Sequence, residues 1–160
     1  MSTQLLTDQA SPALAAWVRL LRGHAAARRS LSAQLQGTHG LTVNDYEALL
    51  VLARAEGNQT RRVDLAEALQ LTASGVTRLL DGLEKHGLVE KATCPSDGRV
   101  TYAVLTAAGQ RKLEKASSAH IVGVQALFEE HYSSVELETL AELLGRLPGA
   151  CSADPRDCAP

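Results

Sequence analysis

The sequence predicts a mainly α-helical fold with a small β-hairpin, and three observations carry that prediction. Two short helical segments, residues 63–69 and 73–85, are separated by a tight turn at Leu71-Thr72. They are followed at once by two segments rich in β-formers, residues 88–94 and 100–105, around the turn-forming cluster Pro95-Ser96-Asp97-Gly98. Long amphipathic helical patterns lie on both sides of this core. A helix-turn-helix that runs into a hairpin is a winged helix-turn-helix.

The elements follow in order. From Pro12 to about residue 36, Leu14, Trp17, Val18, Leu21, Ala25, Leu31 and Leu35 recur mostly three, four or seven apart, an amphipathic helix closed by Gly37 and Gly40. Thr42 can cap a second helix, with Tyr46, Leu49, Leu50 and Ala53 as its apolar stripe, and Gly57-Asn58 breaks the chain. In the helix 73–85, Val76, Leu79, Leu80 and Leu83 face inward, Thr72 is the cap and Gly87 the stop. Thr106 can cap a long helix reaching about residue 132, with Leu113, Ile121, Val124, Leu127 and Phe128 apolar. A last helix over 134–147 carries the stripe Leu137, Leu140, Ala141, Leu144 and Leu147. Residues 1–10 and 148–160 lack periodicity and are expected to be disordered tails.

The first and the last two helices present more apolar surface than a winged helix of about 70 residues can cover, which points to a partner. The simplest one is a second copy. The expected organisation is therefore one domain over 11–147, with dimerisation helices at 11–36 and 107–147 around a winged helix-turn-helix at 42–105.

Composition narrows the class. At 160 residues and 45% apolar positions the chain has the size of one globular domain. Its start lacks a basic cluster ahead of an apolar stretch, and no long uncharged run follows, so neither export nor a membrane span is expected. The three cysteines, Cys94, Cys151 and Cys158, are too few for a secreted disulfide framework and suit a reducing, cytoplasmic setting. The net charge of −2 hides an uneven distribution. Residues 60–112 carry eight basic against six acidic side chains, whereas residues 113–160 carry three against eight. No Gly-rich phosphate loop, nucleophile elbow or H-E-x-x-H pattern is present, so neither catalysis nor a cofactor is expected.

The segment LAEALQLTASGVTRLLDGLEKHGLVEK, followed by SDGR and then YAVLTAAGQ, resembles the MarR (multiple antibiotic resistance regulator) family of transcription factors. The most specific part is the ordered set Leu65-Ala66, Leu83-Glu84 before Gly87-Leu88-Val89, Asp97-x-Arg99, and Leu105-Thr106 with Gly109. Where many members carry a second Arg in the wing, this chain has Gly98. The resemblance implies a homodimer that binds double-stranded DNA at a pseudo-palindromic operator, often as a repressor that a small molecule or an oxidant releases.

Candidate DNA contacts follow from that placement. Thr72, Ser74, Gly75, Thr77 and Arg78 form the start of the recognition helix, where short hydroxyls, bare backbone and one guanidinium suit the major groove. Arg78 is the base-edge candidate, because Arg can bond both guanine acceptors. Arg99 at the wing tip suits the narrow minor groove, with Asp97 placed to hold its side chain. Arg61 and Arg62 suit phosphate positioning.

The family's effector pocket would be lined here by Trp17, Val18, Arg22 and Tyr46, a setting for a small aromatic or phenolic anion. Cys94 at the base of the wing is the candidate for a cysteine-based redox-sensing alternative, although no adjacent cation marks it as acidic. No metal site is expected: His120 and His131 share a helix face but stand about 16 Å apart along the axis. A winged helix that binds protein rather than specific DNA is the other alternative, and it would expose apolar side chains on the recognition face.

Overall fold

The computed structural model describes residues 11–94 and 96–150. The expected tails at 1–10 and 151–160, with Cys151 and Cys158, lie outside these residues. The elements are α1 (Pro12–His39), α2 (Val43–Arg54), β1 (Gln59–Arg61), α3 (Arg62–Ala68), α4 (Ala73–Lys85), β2 (Val89–Thr93), β3 (Thr101–Leu105), α5 (Ala107–Glu129) and α6 (Ser134–Gly145). They form two compact units, one ending at Ile121 and one beginning at Val122.

The first unit holds a winged helix. Helix α2 starts on a reciprocal cap: the Asp45 N–H donates to Thr42 Oγ1 at 3.1 Å, and the Thr42 N–H donates to Asp45 Oδ2 at 2.8 Å. Helix α1 runs three residues past its expected end. Gly37 stays helical, which costs a glycine only about 1 kcal/mol, and the chain turns instead at Gly40 with φ +65°.

Both helices of the helix-turn-helix end in the same way. At the end of α4 the Gly87 N–H donates to Glu84 O (2.8 Å) and the Leu88 N–H to Leu83 O (3.0 Å), with Gly87 left-handed. At the end of α3 the Gln70 N–H donates to Glu67 O (3.0 Å) and the Leu71 N–H to Ala66 O (2.9 Å), with Gln70 at φ +52°. The turn between α3 and α4 is thus a glycine-type cap made by a glutamine.

The hairpin belongs to a three-stranded antiparallel sheet in the order β1-β3-β2. Strand β1 is an addition to the expected wing: Gln59, Thr60 and Arg61 pair with Val104, Ala103 and Tyr102. Three residues without an apolar alternation carry no strand signal of their own, so pairing with β3 decides the conformation. Strands β2 and β3 pair from Val89↔Leu105 to Thr93↔Thr101.

The core lies under the sheet and between the helices. Leu49 and Leu52 of α2, Leu65 of α3, Val76, Leu80 and Leu83 of α4, and Val89 and Ala103 of the sheet are buried together. Each large aliphatic chain withdrawn from water contributes about 1.5–3 kcal/mol. Leu113 and Ala116 extend the cluster into α5.

The Thr106 hydroxyl accepts from the Gly109 N–H (3.0 Å) and donates to Gly87 O (2.7 Å). The first turn of α5 is thereby fastened to the end of α4.

Tyr46 stands with its ring centroid 4.6 Å from that of His120, and its hydroxyl donates to Ser117 Oγ at 3.3 Å. His120 Nδ1 is buried without a partner. Burial lowers the His120 pKa from its ordinary 6.5, with the charge of Glu47 partly opposing. The folded protein resists protonation there, so stability is complete above that ordinary value and falls as the pH drops below it toward the lower folded one. The melting midpoint of the parent should fall between about pH 7 and about pH 5, and His120→Gln should flatten the slope. An equal slope in both would show that His120 does not cause it.

In the second unit, the end of α5 and helix α6 enclose an apolar groove lined by Val124, Phe128, Leu137, Leu140, Ala141 and Leu144. Helix α5 stops at Glu129, three residues short of expectation, because Ser133 and Glu136 form a capping box that starts α6. Helix α6 itself ends at Gly145 rather than 147.

Candidate nucleic-acid interface

Helix α4 has one buried and one exposed side, as its sequence pattern predicts. Val76, Leu80 and Leu83 are locked in the core, while Ser74, Arg78, Asp81 and Lys85, spaced four, three and four apart, form one exposed stripe.

Thr72 is exposed and spends its hydroxyl as the cap: it accepts from the Gly75 N–H at 3.1 Å and stands 3.2 Å from Ser74 Oγ. Gly75 is close beside it, since a Cβ there would meet Thr72 Oγ1 at 3.1 Å. Thr77 is half-buried and donates back to Ala73 O at 2.8 Å. Arg78 is exposed, and its Nε makes a long bond of 3.4 Å to Ser74 O, which leaves the guanidinium at the surface. The fold therefore brings Thr72, Ser74, Gly75 and Arg78 together at the free end of α4, with Thr77 turned back along the helix.

The hairpin turn is held by the Val100 N–H on Asp97 O (3.0 Å) and the Asp97 N–H on Cys94 O (3.3 Å). Asp97 acts on the Arg99 backbone: its Oδ1 accepts from the Arg99 N–H at 3.0 Å. The expected grip on the Arg99 side chain is replaced by a local turn, which Asp favours through this carboxylate-to-amide geometry.

Arg61 ends β1 and is bound in a two-point pair to Asp64, with Nε–Oδ2 2.6 Å and a second nitrogen on Oδ1 at 2.8 Å. The Asp64 hydrogen bond, then its charge, raises the Arg61 pKa. Arg62 next to it is exposed at the start of α3.

Cys94 is half-buried, its Sγ 3.1 Å from Ser96 Oγ. That contact, followed by backbone bonds from Ser96 and Asp97, lowers its pKa. The acidifying group is thus the hydroxyl two residues on rather than a neighbouring cation.

The four residues proposed for an effector fall in different settings. Trp17 is 55% exposed, Arg22 is exposed and Val18 half-buried on α1, while Tyr46 is in the core. A cleft of about 530 Å³ in the same unit is lined by none of them; His24, Arg28, Asn44, Glu47, Leu50, Val51, Arg54 and residues 68–71 surround it. One wall is ordered by Arg28, which donates to both Glu47 carboxylate oxygens (2.8 and 3.1 Å) and to Asn44 Oδ1 (2.6 Å).

Among the described residues no three His, Cys, Asp or Glu side chains stand together to hold a metal ion, and no helix is long and apolar enough to cross a membrane.

A side chain that sequence reasoning missed is Lys91. From β2 its Nζ donates to Asp81 Oδ1 and lies 2.8 Å from Glu84 Oε2, both on α4. Only the register of the hairpin against α4 reveals this contact.

The MarR family model matches residues 39–100, from the end of α1 to the wing turn. The HTH-type transcriptional repressor YetL of Bacillus subtilis is 30% identical over 108 residues, 68% of this chain and 64% of that repressor, so the chain spans slightly less than two thirds of its length. The putative transcriptional regulatory protein for the hcr operon of Thauera aromatica is 30% identical over 80% of this chain and 75% of its own. Two solved structures from Streptomyces coelicolor share the fold. AbsC, a MarR family transcriptional regulator, is 31% identical over 86% of this chain and 93% of its own, with a TM-score of 0.73. Sco3205, a MarR family regulator in complex with DNA, is 25% identical over 88% and 89%, with a TM-score of 0.75. The helix-turn-helix with its three-stranded wing, the matching family model and relatives at this level of identity agree: the chain belongs to the MarR family of transcriptional regulators.

Proposed function

We propose that the protein is a cytoplasmic, homodimeric, sequence-specific repressor that binds double-stranded DNA at a pseudo-palindromic operator and is released by a small aromatic or phenolic effector. The observation that carries DNA binding is the exposed polar start of α4, Ser74 and Arg78, on a helix whose other side is locked in the core. Sco3205, which shares the fold, is solved with DNA. In the proposed complex the start of α4 enters the major groove, Arg78 leaves its long bond for a base edge, and Arg99 reaches the flanking minor groove. Gly98 in place of a second wing Arg leaves Arg99 as the cation of the wing tip.

A helix that docks on protein would present apolar side chains on this stripe, whereas Ser74, Arg78, Asp81 and Lys85 stand there. Dimerisation over 11–36 and 107–147 is supported by apolar side chains left exposed in each unit: Leu14, Trp17 and Leu21 on α1, and Val122, Val135 and Leu143 in the second. Two copies would set their α4 helices in successive major grooves, about 34–36 Å apart.

The test is fluorescence anisotropy with DNA from upstream of the protein's own reading frame, at two salt concentrations, against a scrambled duplex. Arg78→Ala should weaken binding by about 1–3 kcal/mol and relax base preference, while Arg99→Ala should weaken all duplexes and lower the salt slope by about one. Parent-like binding by both variants would overturn these contacts, and a stable monomer of 17.0 kDa in sedimentation equilibrium at micromolar concentration would overturn the dimer.

A further inference from the structure

The recognition stripe of α4 contains an apparent contradiction. Asp81 stands one turn beyond Arg78 on the same exposed stripe, and Glu84 lies beside it. Carboxylates on a surface that approaches phosphates repel them and cost affinity. Both converge on Lys91, whose ammonium donates to Asp81 Oδ1 and sits 2.8 Å from Glu84 Oε2.

Lys91 is placed to fix the wing. It lies in β2 opposite Ala103 of β3, which in turn lies opposite Thr60 of β1, so it sits on the middle row of the sheet. The root of the hairpin is anchored by Leu88 and Val89, both buried, but beyond Ala92 the residues Thr93, Ser96, Asp97, Gly98 and Arg99 are exposed. A two-stranded ribbon twists readily. Among the described residues, Lys91 makes a side-chain hydrogen bond and two ion pairs between the wing strands and α4. Two acceptors on successive turns of one helix hold a single ammonium from two directions, which fixes an angle as well as a distance.

Stability does not account for the cluster. Lys91, Asp81 and Glu84 are 34%, 56% and 43% exposed, and ion pairs at such sites contribute little. We infer that Lys91 is a positioning residue for DNA recognition: with Asp81 and Glu84 it sets the wing against the recognition helix, so that Arg99 and Arg78 meet adjacent grooves together. This rests on the DNA-binding reading above.

The test uses the full-length protein, a duplex that the parent selects from a randomised pool, and a random-sequence duplex. Lys91→Met keeps the aliphatic stem and removes the donor; it should lose about tenfold in affinity for the selected duplex. Its melting midpoint should stay within about 4 °C of the parent. Lys91→Arg, which can span the same two carboxylates, should restore binding.

The triple variant Lys91→Met/Asp81→Asn/Glu84→Gln separates position from charge. It removes the repulsion, so it should bind the random duplex at least as well as the parent while its preference for the selected duplex stays about tenfold lower. Recovery of the parent's preference in the triple variant would show that Lys91 only masks charge, and parent-like binding by Lys91→Met would show that the cluster is idle. Either result overturns the inference while DNA binding stands. Failure of the parent to select any duplex would overturn the DNA-binding reading and this inference with it.

Discussion

Gly109→Ala is expected to cost at least about 3 kcal/mol of folding free energy and to displace the whole start of α5. A Cβ at this position would lie 2.1 Å from Leu88 O and 2.7 Å from Leu105 Cδ1. The first neighbour is a backbone carbonyl that accepts from the Thr106 N–H at 3.1 Å, so it cannot rotate away as a side chain would. To make room, the first turn of α5 must withdraw from Leu88, and that motion pulls on the Thr106 hydroxyl, which is held to Gly87 O and to the Gly109 N–H at once. Urea denaturation measures the loss. Gly82→Ala is the control, because it sits in α4 with nothing within 4 Å of its added Cβ. It should stabilise the protein by about 0.5–1 kcal/mol, the ordinary gain of alanine over glycine in a helix. Two Gly→Ala changes of opposite sign are the expected pair; a mild effect at both would mean that the approach of Leu88 to Gly109 is not a close one.

Leu80→Ala is expected to destabilise the protein by about 2–5 kcal/mol. Leu80 is 1% exposed and lies on the inner side of α4 in the cluster that contains Leu65 and Val89. Three elements converge there, so the cavity left by the missing atoms can close only if one of them tilts. The midpoint of urea unfolding should drop with an unchanged slope, the sign of lost stability in a two-state transition. Arg78→Ala, two residues earlier on the exposed side, should leave that midpoint within about 0.5 kcal/mol of the parent. A small loss at Leu80 would show that α4 is held by something other than this core.

These two substitutions mark what can be read from sequence and what cannot. The inward row Val76, Leu80 and Leu83 is a period-3.6 pattern, and it places the exposed stripe of α4 on the other side without any coordinates. The caps at Thr42, Thr72 and Thr106 are equally local, since each needs only a hydroxyl before a helix. Gly109 is visible as part of a family pattern, but its reason lies in a carbonyl 21 residues earlier in the chain, brought close by folding. Strand β1 and Lys91 share that character. Gln59-Thr60-Arg61 is extended because β3 pairs with it, and Lys91 meets α4 through the register of the hairpin. None is a local preference, so no local rule finds it.

The same strand gives the molecule an order of assembly. The β2–β3 hairpin closes across one short turn, and α3 and α4 close across another, so each is an inexpensive loop in entropy. The β1–β3 pairing must enclose α3, α4 and the wing turn between its two sides. Its contacts are therefore non-local, and their closure entropy is offset only once the helix-turn-helix and the hairpin have formed. Three residues at the sheet edge thus tie the start of the helix-turn-helix to the second strand of the wing, a latch that closes a longer loop than the hairpin does.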